Sequence, residues 1–417
     1  MKKSVLLFII GILLTGTSHS QWIQQYISNP SQTVMALKFH NDNTGYYAGV
    51  LYNSSTFNIH KTTNGGVNFI DQNSNFTAQR FMSVWIMHPD TVLMCGNYGK
   101  IIKTVNGGNN WNLIYADTIK QFWCFYFVNS NTGYVSGSHG TIMKTTNKGD
   151  NWTILNSTTQ TTLDGTWFVN ENTGYVGGAN IVLKTTDAGQ TWVNKIGNFI
   201  SPFETAEGLC FSDANTGYYC TNTTNCRIVK TSDGGDTWNL VFSQSDAGAG
   251  WAMSFVNGNT GYVCTGAGKV VKTTDGGVTW GIQNTPLTEN LYEIHFPSAN
   301  TGYIASWSGK ILKTTNGGLT YIGQANNEIP VKFKLEQNYP NPFNPSTTIS
   351  FSITSKELVT LRIYDIGGKL VSELINETLD AGNYNITYNA SGLSSAVYYY
   401  NITAGNFSET RKMMYVK

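Results

Sequence analysis

Charge is scarce in this chain. Its 26 Lys and Arg and 25 Asp and Glu make up 12% of 417 residues, and the net charge is +1. Such a chain has no cationic field to hold phosphate backbones, so nucleic acid is excluded as a partner. Past residue 20 no apolar run approaches the roughly 20 residues a bilayer requires, and no stable membrane span is expected. The six cysteines fit no zinc spacing, and His40, His60, His88, His139 and His295 are scattered. Nucleophile-elbow, phosphate-loop and dinucleotide glycine motifs are missing, so neither a metal nor a cofactor is expected. Cys220 and Cys226 flank Thr221–Asn225 and are placed for a local disulfide in an oxidising compartment, with Cys210 as the rival partner of Cys220. Cys95, Cys124 and Cys264 read as small core hydrophobes.

Aromatics and glycine are plentiful: 23 Tyr, 20 Phe, 11 Trp and 43 Gly. That composition is far from disorder and favours strands broken by tight turns. Residues 1–20 join Lys2 and Lys3 to an apolar stretch, Val5–Leu14, and a small-residue exit with Ser18 and Ser20. This is the pattern of a cleaved export signal, with mature chain from Gln21.

Internal repetition sets the fold. Asn-Thr-Gly-Tyr begins at Asn43, Asn131, Asn172, Asn215, Asn259 and Asn300. Lys-Thr-x-(Asn/Asp)-x-Gly-x-x-aromatic begins at Lys61, Lys103, Lys144, Lys184, Lys230, Lys272 and Lys313, at spacings of 42, 41, 40, 46, 42 and 41 residues. In the second repeat Pro89-Asp90-Thr91-Val92 stands where the first phrase should be. Each unit reads as four short strands; in the third these are Phe122–Phe127, Gly133–Gly137, Thr141–Thr145 and Trp152–Leu155. Four strands in about 42 residues is one propeller blade, and seven blades fill residues 21–325. Either Gln21–Gln24 or Tyr321–Gly323 supplies the outer strand that closes the ring.

The second phrase reads as a structural turn. Its acid or amide (Asn64, Asn106, Asn147, Asp187, Asp233, Asp275, Asn316) accepts backbone N–H bonds, and its last glycine supplies positive φ. Its aromatic packs between blades. The repeating lysines read as solvated stems.

Eight residues before each Asn-Thr-Gly-Tyr, with Asp90 standing in for the second, lie Met35, Met82, Trp123, Asp164, Glu207, Trp251 and Tyr292. All open the innermost strand, at the end of the channel away from the box turns. Trp123, Asp164, Glu207, Trp251 and Tyr292 are therefore the candidate ligand-binding residues, since aromatic faces beside acceptors suit sugars or peptide side chains. Asp164 with Glu207, or with Glu293 one residue out of register, are the candidate catalytic carboxyls for glycoside hydrolysis.

After a polar linker, 326–334, the repeat stops. Four of nine prolines lie between Pro330 and Pro345, followed by alternating runs at Thr348–Thr354, Val359–Tyr364, Lys369–Leu374, Tyr384–Tyr388, Val397–Thr403 and Phe407–Val416. Short antiparallel strands in residues 335–417 predict a small Ig-like sandwich, making the whole chain all-β.

Two family resemblances accompany this reading. The units, with Thr273-Thr274-Asp275-Gly276-Gly277-Val278-Thr279-Trp280 as an Asp-box (BNR repeat), resemble the seven-bladed photosystem II assembly factor-like propellers. Asp-boxes also mark sialidases, but those hold a substrate carboxylate with three arginines. The propeller has only Arg80 and Arg227, so that activity is not expected. Residues 335–417 resemble the type A sorting domain of the type IX (Por) secretion system. The matching phrases are Gln337–Pro345, Ile363–Lys369, Ala381–Tyr384, Gly392–Tyr400 and Lys412–Lys417. The resemblance implies Sec export, passage of the outer membrane of a Bacteroidetes-type bacterium through the type IX machinery, and release or attachment at the cell surface. Function is then expected to be glycan or protein binding, with a glycoside hydrolase or a structural, adhesive surface protein as alternatives.

Overall fold

A computed structural model describes residues 22–28, 32–51, 57–72, 76, 80–195, 204–315, 317–318, 323–326, 330–379, 381–390 and 393–417. The export signal, Asn316 and Tyr321 lie outside the described residues. One compact unit spans Gln21–Gly323, and a second takes Gln324–Asn385 and Asn389–Lys417.

The first unit contains seven four-stranded antiparallel sheets. In the third, the strands are Phe122–Phe127, Gly133–Gly137, Ile142–Thr145 and Thr153–Leu155, within a residue of the sequence expectation. First strands of adjacent blades lie side by side, and the seventh lies beside the first. The second strand of each blade is a short run around the tyrosine of Asn-Thr-Gly-Tyr or its equivalent. Such runs, for example Gly133–Gly137 and Gly261–Thr265, are buried throughout, as sheets stacked on both faces demand.

Ring closure goes to the amino-terminal strand. Ile23–Ile27 pairs antiparallel with Lys310–Thr314 as the outer strand of blade 7. Trp22 is fully buried, edge-to-face on Phe296 at 5.8 Å, and its Nε1 donates to Gln283 Oε1. It occupies the place that Trp280 holds against Phe255 in blade 6. Gly323–Asn326, at the boundary of the two units, pairs instead in a sheet with Gly382–Asn389, Ser346–Ile353 and Lys334–Leu335.

The box turns are hydrogen-bonded alike whether they carry acid or amide. Thr273 Oγ1 donates to Asp275 Oδ1 at 2.8 Å and accepts the Gly277 N–H at 2.9 Å. Thr62 does the same with Asn64 at 3.0 Å and Gly66 at 3.0 Å. Gly277 has φ 72° and Gly66 φ 81°, backbone that a side chain would strain.

The lysines are not solvated stems. Each reaches from its third strand to a backbone carbonyl in the box turn of the next blade. Lys184 Nζ meets Gly234 O at 2.6 Å, Lys230 meets Gly276 O at 2.6 Å, and Lys313 closes the circle on Gly65 O at 3.1 Å. In blades 3 to 7 the tyrosine of Asn-Thr-Gly-Tyr lies beneath the ammonium and donates to the same carbonyl, as Tyr175 OH does to Gly234 O at 2.7 Å; in blade 1 Tyr46 OH donates to Pro89 O instead. A lysine and a phenol thus staple five of the seven pairs of blades at one point, and in blade 2, where Leu93 stands in the tyrosine's place, Lys103 reaches Lys148 O without a phenol. Lys272, buried and bonded to Gly317 O and Gly318 O, is the most enclosed example. Burial pushes the Lys272 amine down to about 7, and Lys272→Met is expected to cost about 1–3 kcal/mol, the usual penalty for leaving buried carbonyls without their donor, read as a lowered denaturation midpoint.

The second unit stacks two four-stranded sheets. Strands such as Ser346–Ile353 and Ala396–Ala404 alternate buried and half-buried residues, the pattern of a sandwich with one inward face. The proline-rich phrase and the chain's last strand, far apart in sequence, are joined. Phe343 N–H donates to Met414 O at 3.0 Å, Val416 N–H to Phe343 O at 3.1 Å, and Met414 N–H to Asn341 Oδ1 at 2.8 Å.

Candidate functional site

The box turns sit beside the Asn-Thr-Gly-Tyr turns, as the bond from Gly276 N–H to Asn259 O shows. The starts of the first strands therefore define the opposite mouth of the channel. Here the strand ladder is broken in every blade. The register shifts between Val34 and Ala36, Phe81 and Ser83, Phe122 and Cys124, Leu163 and Gly165, Gly250 and Ala252, and Leu291 and Glu293. The bulged residues are Met35, Met82, Trp123, Asp164, Trp251 and Tyr292. In blade 5 the break falls between Glu207 and Cys210, so Glu207 keeps its pairing with Cys220 while Gly208 takes φ 47°. A bulge leaves a residue out of the ladder and re-aims its side chain. All seven positions are half-buried, neither core nor free surface.

Around the mouth the order is Met35, Met82, Trp123, Asp164, Glu207, Trp251, Tyr292. The two carboxyls are neighbours, and burial acts on both. It pushes the Asp164 carboxyl up to about 6. Burial first, and then the charge of Asp164, pushes Glu207 up to about 8, against the pull of Asn222 Nδ2 donating to Glu207 Oε1 at 3.1 Å. Both carboxyls are thus held in favour of the protonated form relative to free ones, Glu207 the more strongly. The pair accepts and donates hydrogen bonds at adjacent points, which suits hydroxyl groups.

Glu293 belongs to a different layer. Burial pushes it up to about 7, opposed by Lys38, whose amine is in turn pushed down by burial. The Lys38 Nζ stands over the Trp85 ring at 4.4 Å. Trp85, Tyr126 and Trp167 continue from there at 5.6 and 4.9 Å. His295 Nε2 donates to Phe39 O at 2.9 Å, and burial holds its ring neutral. The coupling of Glu293 is thus to Lys38, while the coupling of Glu207 is to Asp164.

On the aromatic side, Trp251 meets Tyr292 at 5.2 Å. The Trp123 and Trp251 indole N–H groups are enclosed and meet no acceptor, so these residues offer ring faces rather than donors. Arg227 is committed to Glu204, with Nη1 to Oε1 at 2.5 Å. Counting back from the repeat located all of these positions. It missed Trp307, exposed on the hairpin between Gly302–Ser306 and Lys310–Thr314, with its ring 5.7 Å from Tyr292. The signal was another aromatic, Tyr98, in the corresponding hairpin of blade 2.

The six thiols are free, and all but Cys124 are buried, so no Cys220–Cys226 bridge is formed. Burial raises the Cys220 and Cys226 thiols, the behaviour of core residues rather than nucleophiles.

Fold and site together define an all-β, Asp-box propeller with a separate sorting domain. The family model for the photosynthesis system II assembly factor YCF48 matches residues 209–315, and that for a secretion system C-terminal sorting domain matches residues 337–417. The chain thus joins a photosystem II assembly factor-like propeller to a sorting domain, which marks it as secreted or cell-surface. Solved structures agree on the fold. YCF48 bound to D1 peptide is 18% identical, with a TM-score of 0.57 over 72% of this chain and 98% of that one. YCF48 from Cyanidioschyzon merolae is 18% identical, with a TM-score of 0.55 over 70% of this chain and 98% of that one. An ancestral GH74 enzyme is 13% identical, with a TM-score of 0.55 over 94% of this chain and 63% of that one. The curated proteins contain no match. Among the described residues no helix is long and apolar enough to cross a membrane.

Proposed function

We propose that this is a binding propeller, exported by Sec and then by the type IX system, that takes a glycan or protein ligand at its channel mouth through Trp123, Asp164, Glu207, Trp251 and Tyr292. The observation that carries the reading is the ladder break recurring at one position in six of the seven blades, with blade 5 broken just after Glu207. Were these residues only filling space between blades, no repeated bulge would be needed to turn them out of the sheet. That a YCF48 propeller is seen with a D1 peptide supports ligand binding by this architecture.

A second reading is glycoside hydrolysis, favoured by one observation. Asp164 ionised beside a protonated Glu207 is the division of labour that acid–base cleavage of a glycosidic bond uses. Glu293, facing Lys38, fits that role less well. Screening the mature chain on glycan and peptide arrays, followed by reducing-end assays on any glycan bound, separates the two. Binding without turnover supports the module. Turnover lost in both Asp164→Asn and Glu207→Gln supports the hydrolase, and turnover intact in both removes these carboxyls from the chemistry.

A further inference from the structure

We infer that Trp307, Tyr292 and Trp251 form one aromatic track leading from the rim of blade 7 to the channel mouth, and that it binds an uncharged oligosaccharide chain. The inference rests on the reading of the mouth as a binding site and names its ligand class.

Trp307 is the one exposed tryptophan among the described residues, 45% accessible. It is held, not loose. Its N–H donates to Asn290 O at 2.9 Å, and Gly309, at φ 76°, turns its N–H back to Ser306 O at 3.2 Å. Asn290 Nδ2 also reaches the Tyr292 hydroxyl at 3.4 Å, so one residue ties the Trp307 backbone and the Tyr292 ring. From Trp307 the path runs 5.7 Å to Tyr292 and 5.2 Å to Trp251, whose neighbour on the next blade is Glu207. A lone exposed aromatic needs no explanation, but one pinned in series with two others beside a carboxyl pair does.

The charges along the track select the ligand. Glu289 is occupied by Ser308 at 2.5 Å and Lys310 at 3.5 Å. Lys310 and Arg80, whose charge bears on Tyr292, oppose a cationic ligand at the outer end. Asp164 opposes an anionic one at the inner end. A neutral sugar chain escapes both. Its C–H faces stack on the rings, and its hydroxyls both donate to and accept from the Asp164–Glu207 pair.

The test titrates the mature full-length chain with β-glucan, xylan and mannan oligosaccharides of increasing length, at pH 7 and pH 9, above the range in which Asp164 takes up its proton. The groups facing the Glu207 carboxyl are Asp164 on blade 4, Asn222 on its own blade and the Cys220 thiol, and of these only Glu207 itself loses its proton across pH 8. Affinity is expected to grow with chain length. Trp307→Ala should lower affinity for the longest oligosaccharides about tenfold, the order of one aromatic contact, and leave the disaccharides unchanged. Affinity should fall from pH 7 to pH 9 in the wild type and stay level in Glu207→Gln, whose amide keeps a donor. Equal affinity for short and long chains, unchanged by Trp307→Ala, overturns the track; if Trp251→Ala still weakens binding, the mouth itself survives as the site. Peptide binding that tightens as pH rises overturns the ligand class while leaving the mouth a binding site.

Discussion

Deletion of residues 335–417 is expected to leave the propeller in the periplasm of a host carrying a type IX secretion system. The sorting unit is folded around its own core, with Ile349, Phe351, Ile363, Tyr400 and Ile402 buried. Its matching phrases form one surface element. Gln337 Nε2 donates to Lys412 O at 2.8 Å, and the backbone bonds between Phe343 and Met414 and between Val416 and Phe343 bind the proline-rich head to the terminal strand. The propeller closes its own ring with Ile23–Ile27, so the truncated chain loses its address rather than its fold. Cell fractionation with surface proteolysis reads the outcome. Loss of nearly all surface or medium signal, with a periplasmic pool of intact propeller, is expected; undiminished display would refute the sorting assignment.

The second large effect is on stability. Trp192→Ala should cost about 3–5 kcal/mol, as truncation of a large buried aromatic does. Trp192 is 6% exposed and stands edge-to-face on Phe168 at 6.3 Å. Phe168 in turn stacks on Tyr134 of the preceding blade at 3.7 Å. One deletion therefore loosens both the blade and its interface. The Trp192 indole N–H has no acceptor, so the loss is packing, with no hydrogen bond to confuse the measurement. Val193→Ala, on the exposed side of the same strand, should change stability by under about 0.5 kcal/mol. A denaturation midpoint equally indifferent to both substitutions would contradict the packing role.

Much of this was legible in the sequence because the molecule repeats. Seven lysine-led phrases at near-constant spacing set the blade number, and alternating residues set the strands to within a residue in blade 3. The closing strand was not decidable, since Gln21–Gln24 and Tyr321–Gly323 both offer a short strand with an aromatic, and the choice depends on contacts made across the whole propeller. Trp22 settles it by filling the space between blades 6 and 7. The lysines were misread because local pattern shows which face of a strand a side chain takes, not that the next blade brings a carbonyl within its reach. Their recurrence in all seven units, while the residue before each varies, is the signal that points to a fixed partner. Asp164 and Glu207 were locatable by counting, but the upward push on both carboxyls depends on enclosure, which sequence does not show. Trp307 lies outside the counted positions altogether.

The channel mouth as a binding site is the central claim, and calorimetric titration of Trp123→Ala and Trp251→Ala against the ligand found for the wild type tests it most directly. The account predicts at least a tenfold loss of affinity in each variant, about 1.4 kcal/mol, with the folded state intact by circular dichroism. Wild-type affinity in both would place the ligand elsewhere on the protein and contradict the account.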